Sequence, residues 1–128
     1  MMRHTLRVVA LVTVSTTLVS GSAVHAQHNF RMLGGKEIQA RVVGKDITDA
    51  SHWSMYLRPD GALIGTESST HWASTWKIQK NKLCMSNPSS KVLDCYDVWM
   101  SGDKISLRLK ENDDNFVAVI ERHKANLL

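Results

Sequence analysis

This sequence lacks most of the signals that announce a reaction. It has two cysteines and no Cys-x-x-Cys pair, which argues against thiol–disulfide redox work. None of its serines sits in a Gly-x-Ser-x-Gly elbow, the strained turn that presents a hydrolase nucleophile. Histidine, cysteine and aspartate never fall at close ligand spacing, and a metal needs several ligands converging at about 2 Å. Positive charge is not concentrated: Arg41, Lys77, Lys91, Arg108 and Arg122 are scattered among Asp and Glu, unlike the stripe of a nucleic-acid binder. After the first residues no apolar run is long enough to cross a bilayer. There is no linker, no fixed-period repeat and little helical periodicity after residue 35.

What is present begins with a leader. Arg3, His4 and Arg7 precede a mostly apolar run over residues 8–19, and Val24-His25-Ala26 makes a small-x-small cleavage pattern. That is the layout of a secretory signal, expected to occupy 1–26 and to release a chain starting at Gln27. No cysteine follows the cleavage position, so no lipid anchor is expected there. The formal charge of +4 also weakens, because Arg3 and Arg7 leave with the leader. The mature chain is expected to be a secreted or periplasmic single domain over 27–128, with its core at about 35–123 and no membrane span.

Along that domain, apolar and polar residues alternate. Ile38, Ala40 and Val42 alternate with Glu37, Gln39 and Arg41; Trp53, Met55 and Leu57 with Ser54 and Tyr56; Ile105, Leu107 and Leu109 with Ser106 and Arg108. Trp72, Trp76 and Ile78 share one parity, and Phe116, Ala118 and Ile120 make a last apolar row. Period-two patterning with one polar face predicts antiparallel strands packed on a core. Turn chemistry separates the runs: Pro59-Asp60-Gly61, Gly44-Lys45-Asp46, Lys80-Asn81, Ser101-Gly102-Asp103 and Glu111-Asn112-Asp113-Asp114. The pattern predicts an all-β fold of about eight short antiparallel strands, an up-and-down barrel or a compact sandwich. Residues 27–35 read as an irregular arm or short helical lead-in, and 124–128 as a frayed tail.

The two cysteines lie on apolar runs separated by Asn87-Pro88-Ser89-Ser90. A fold-back at 88–91 sets Cys84 opposite Cys95, within reach of a disulfide. In an exported chain two cysteines favour one bridge. The same register sets Leu83 opposite Tyr96 and Met85 opposite Asp94, an unusual apolar–acidic match.

The order of several phrases resembles a group of small exported alphaproteobacterial proteins of unknown function. Gly35-Lys36-Glu37-Ile38, Tyr56-x-x-Pro59-Asp60-Gly61, Gly65, Trp76-Lys77-Ile78, Lys82-Leu83-Cys84, Asp94-Cys95-Tyr96 and Gly102-Asp103 carry the resemblance, over residues 34–110. It implies a small β-rich fold with a cross-strand disulfide and carries over no catalytic residue. The chain departs from the pattern after Lys110, where Asp113-Asp114-Asn115 stands in place of a glycine-bearing turn.

Candidate chemistry is thin. His52 and His71 each precede a tryptophan, so inward tryptophans would put both histidines in solvent. A copper or haem site of His52, His71 and Met85 would need strand pairing to set the histidines side by side. Asp94 and Asp97 have opposite parity and cannot form an acid pair, while Asp97 shares the parity of Cys95 and Trp99 and would call for a Lys or Arg partner if that face is the core. Trp53, Trp72, Trp76 and Trp99, with Tyr56, are the candidate binding residues, either filling the barrel or lining its mouth. The reading is a binding protein and not an enzyme, without cofactor or metal. Its expected partner is another protein or a cell-envelope component, met as a host-interaction factor or a hydrolase inhibitor. Loops at 67–70 or 87–90 would present the contact. The rival role is a carrier of a small apolar ligand in the barrel, whose interior at about eight strands barely admits one.

Overall fold

A computed structural model describes residues 29–110 and 117–124. The leader at 1–26, His28, the turn at 111–114, Phe116 and most of the tail lie outside the described residues.

The alternating runs become strands where expected, apart from one. In chain order they are β1 (Arg31–Met32), β2 (Lys45–Thr48), β3 (Trp53–Leu57), β4 (Ala62–Glu67), β5 (Thr70–Gln79), β6 (Lys82–Ser86), β7 (Leu93–Ser101), β8 (Lys104–Arg108) and β9 (Val117–Arg122). Each strand from β2 to β9 pairs antiparallel with the next, and β9 returns to β2, closing an eight-stranded barrel. Closure removes the free edges that an open sheet would leave. The strand β1 adds to β7 through Arg31↔Met100 and Met32↔Trp99.

The turns follow their residues. Lys80 and Asn81 both take positive φ (51° and 60°), the pair a two-residue type I′ hairpin needs. Gly102 (φ 59°) opens the β7–β8 turn, and Gly61 (φ 96°) ends the Pro59-Asp60 turn with its N–H donated to the Arg58 carbonyl at 3.0 Å.

The exception is Ile38-Gln39-Ala40-Arg41, expected as a strand. It lies instead in helix α1 (Gly35–Arg41). Ile38 and Val42 are four apart, a spacing that satisfies both a strand parity and a helix face. In the helix both are fully buried and Ala40 is exposed. Gly34 enters in extended conformation, and Glu37 Oε1 reaches back to accept its N–H at 3.3 Å, half of a capping box. Gly35 donates its N–H to Asn81 Oδ1 at 2.9 Å, pinning the helix start to the β5–β6 hairpin. Arg41 Nη2 donates to the Gly102 carbonyl at 3.0 Å, pinning its last turn to the β7–β8 hairpin. The helix therefore crosses one end of the barrel, and Leu33, Ile38 and Val42 join the core beneath it, at 2%, 0% and 0% exposure.

The core fills that half of the barrel with Leu57, Leu63, Leu83, Val98 and Ile105, all essentially without exposure. Gly65 faces Trp72 across the β4–β5 ladder. A Cβ there would stand 1.9 Å from Trp72 Cε2, so the indole lies flat on the glycine backbone. Cys84 and Cys95 are bridged in the expected register, with Cα atoms 3.9 Å apart, Leu83 opposite Tyr96 and Met85 opposite Asp94.

Candidate functional site

The two barrel ends differ in kind. One is crossed by α1; the other carries the loops at 49–52, 68–69 and 87–92. At this second end the inward-pointing side chains are large and half-exposed. Trp53 and Met55 share the parity of buried Leu57, and Trp72 shares that of Trp76 and Ile78. Tyr96 shares the parity of buried Val98 and Met100. All of them pack on the core from the mouth side without being sealed by it.

Val92, Leu93 and Leu109, 56%, 40% and 49% exposed, stand at this end among exposed polar loop residues such as Ser51, Glu67, Ser68, Ser89 and Lys91.

One polar residue positions the mouth. Asp49 Oδ1 accepts the backbone N–H groups of Ser51, His52 and Trp53 at 3.0, 2.7 and 3.0 Å, and Oδ2 meets His52 Nδ1 at 3.0 Å. These donors, the Trp53 N–H above all, hold the Asp49 carboxyl well below the usual carboxylate range. Thr48 Oγ1 donates to the Trp53 carbonyl at 2.7 Å. Both backbone groups of Trp53 are thereby tied, and its indole starts from a rigid base. A hollow of about 230 Å³ lies beside it, lined by Thr48, His52, Ser54, Thr66 and Ser68. Within the mouth, burial raises the Tyr96 phenol above its ordinary value, and the charge of Asp94, two residues along the same strand face, adds to the shift.

The remaining candidates fall elsewhere. Trp76 packs on the core nearer the helix-crossed end, its Nε1 donating to the Arg58 carbonyl at 2.8 Å. Trp99 is on the outer wall, with the Arg108 guanidinium 4.5 Å from its ring centroid, a cation–π contact. That arginine also donates to Ser106 Oγ at 3.2 Å, satisfying a serine with no exposure. Tyr56 is outward too, stacked on His123 with centroids 3.5 Å apart. So Trp53 and Trp72 gather at the mouth, while Trp76, Trp99 and Tyr56 do not.

His52 and His71 are exposed, as inward tryptophans require. His52 immediately precedes β3 and His71 lies on β5, with β4 between the two strands, and Met85 is 8% exposed on the interior parity. The three do not converge, and no group of three or more His, Cys, Asp or Glu among the described residues could hold a metal. Asp97 lies on the outer face with Trp99 and not in the core, and there it meets Lys82 Nζ at 2.9 Å. His123, by contrast, is no bare surface histidine, since its Nδ1 meets Asp46 Oδ1 at 2.9 Å. Asp49 and Tyr96 went unrecognised in the sequence. An Asp two residues before a turn is a readable Asx signal, whereas nothing local marks which face of β7 turns inward.

Compared with known proteins, the chain matches no family model, no curated protein and no solved structure.

Proposed function

We propose that this is an exported binding protein that uses the loop-bearing mouth of its barrel to hold an apolar group presented by another exported protein or an envelope component. The observation that carries the reading is the graded interior. Leu57, Leu63 and Leu83 are sealed at 0–1% exposure, while Trp53, Trp72 and Tyr96 above them remain half-open to solvent. A carrier needs a deep cavity, and the packed half leaves room for a shallow group only. Half-exposed aromatics on rigid strands suit a hot-spot contact, where a few such side chains supply most of the binding energy. The half-exposed aromatic side chains at the mouth support binding in place of catalysis. The leader, the disulfide and the resemblance to small exported proteins support a secreted or periplasmic location.

The test is a titration of the oxidised protein with the neutral fluorophore N-phenyl-1-naphthylamine. Saturable binding is expected, weakened about thirtyfold by Trp53→Ala, the size of a hot-spot loss of roughly 2 kcal/mol. Trp99→Ala on the outer wall should leave the affinity unchanged. Absence of saturation, or a loss that follows Trp99 in place of Trp53, would overturn the assignment.

A further inference from the structure

The β2–β9 ladder sorts its charges by face. Lys45 lies directly opposite Arg122, and one residue along Asp46 lies directly opposite Glu121. Lys45 and Arg122 share the parity of Ile47 and Ile120, the interior side; Asp46 and Glu121 take the outer side. Directly opposed side chains stand with Cβ atoms about 4.5–5.5 Å apart, and like charges so placed oppose folding. On the outer side His123 bonds Asp46 and relieves the contact. On the inner side no carboxylate among the described residues bonds either Lys45 or Arg122.

A pocket of about 490 Å³ opens where these two cations meet, at the helix-crossed end. Met100 and Ile120 form its apolar side, and Arg41 from the last turn of α1 supplies a third cation, held against the β7–β8 turn by its bond to the Gly102 carbonyl. Asp103 and Glu121 also line it, both exposed as Arg122 is, so its three cationic residues outnumber its two carboxylates. The end of α1, the start of β2 and the distant end of β9 thus bring three cationic residues to one concave site.

We propose that this pocket binds a phosphate group, free or carried by a small organic molecule. Two guanidinium groups offer fork-shaped N–H donors matched to phosphate oxygens, and the ammonium adds a point charge. A bound dianion also converts the Lys45–Arg122 repulsion into shared attraction, which neither cation finds in a carboxylate among the described residues. The site is distinct from the mouth and takes the opposite chemistry.

Calorimetric titration of the oxidised protein tests it, with inorganic phosphate, glycerol phosphate and citrate as separate probes at ionic strength held constant with sodium chloride. Saturable one-to-one binding of inorganic phosphate is expected, and tighter binding of glycerol phosphate identifies an organic carrier. Arg122→Gln and Lys45→Gln should each weaken binding roughly tenfold to a hundredfold, the loss of one charge-assisted contact. The same variants should raise the Tm of the unliganded protein or leave it unchanged, because they remove a like-charge contact. Binding no stronger than that of chloride, preference for citrate over both phosphates, or unchanged affinity in both folded variants would overturn the proposal. Arg41→Gln, at the end of the helix, gives a third variant if either strand substitution fails to fold.

Discussion

The two ends of this barrel are built from opposite solutions to the same problem. A closed sheet leaves two openings, and an apolar interior must be covered at each. At one end the chain supplies a cover: a two-residue strand and a two-turn helix that bury Leu33, Ile38 and Val42 completely or nearly so. Its polar anchors are few and specific, Gly35 to Asn81 and Arg41 to Gly102. At the other end Trp53, Trp72 and Tyr96 stay half-exposed, and the described loops at 49–52 and 87–92 are stiffened by their own side chains. Asp49 ties three backbone N–H groups there, and Asn87 Oδ1 accepts the N–H groups of Ser89 and Ser90 at 2.8 and 3.1 Å. A rigid rim around uncovered aromatics is what a recognition surface requires and what a folding core avoids.

The largest effect should come from the covered end. Ile38→Ala removes a fully buried side chain from the helix that closes the barrel, with an expected loss of about 2–5 kcal/mol. Chemical denaturation followed by far-UV circular dichroism measures it. Trp72→Ala at the mouth should cost less than burial of a whole indole would suggest, because part of the ring already meets water. Equal losses at the two positions would show that the mouth is core and not a binding surface.

Next in size is the staple. Cys84 and Cys95 lie three residues from Asn87 and Val92, the residues that close the β6–β7 turn with a 2.8 Å N–H to carbonyl bond. The bridge spans 11 residues of sequence, so the double substitution Cys84→Ser, Cys95→Ser should cost about 2–3 kcal/mol on loop-entropy grounds. Amide exchange should quicken at 87–92 and remain slow in α1. Equal quickening at both ends would mean the bridge supports the whole barrel and not its mouth.

The smallest effect concerns an ion pair on the cover. Arg31 and Glu37 meet through two guanidinium–carboxylate contacts, one at 3.0 Å. With the Gly34 N–H, that pairing lowers the Glu37 carboxyl from 4.5 to about 2. Between those values the unfolded chain binds more protons than the folded one, so the contribution is complete above pH 4.5 and fades as pH falls toward 2. Both side chains are well exposed, at 61% and 40%, and exposed pairs contribute little. Glu37→Gln should therefore flatten the acid limb of a Tm–pH curve slightly and leave Tm near neutrality almost unchanged. A large drop at neutral pH would show that the helix depends on this pair more than on Ile38.

Much of the barrel was readable in order. The strands over Trp53–Leu57 and Lys104–Arg108, the turn at Pro59-Asp60-Gly61 and the Cys84–Cys95 register came from alternation, turn chemistry and cysteine placement. The solvent side of His52 and His71 followed from parity alone. The misreading of Ile38–Val42 has a plain cause, since a four-residue spacing fits both periods and seven residues are too few to separate them. Of the mouth, Trp53 and Trp72 were singled out in advance, but so were Trp76, Trp99 and Tyr56, which the fold sends elsewhere. Tryptophan identity marks a large side chain; it does not say which wall of a barrel that side chain will occupy.

By itself, then, the sequence determined local things: which residues share a strand face, where the chain must turn, and which cysteines can meet across a hairpin. Steric limits on φ and ψ and a period of two act within a few residues, so they leave their mark in the local order. Only the tertiary structure decided that β2 would find β9, that residues 35–41 would coil to cover one end, and that Arg41, Lys45 and Arg122 would share a pocket. Those outcomes join segments up to about eighty residues apart (Arg41 and Arg122), and they are settled by which closure buries the most apolar surface, a property of the whole chain and of no single stretch.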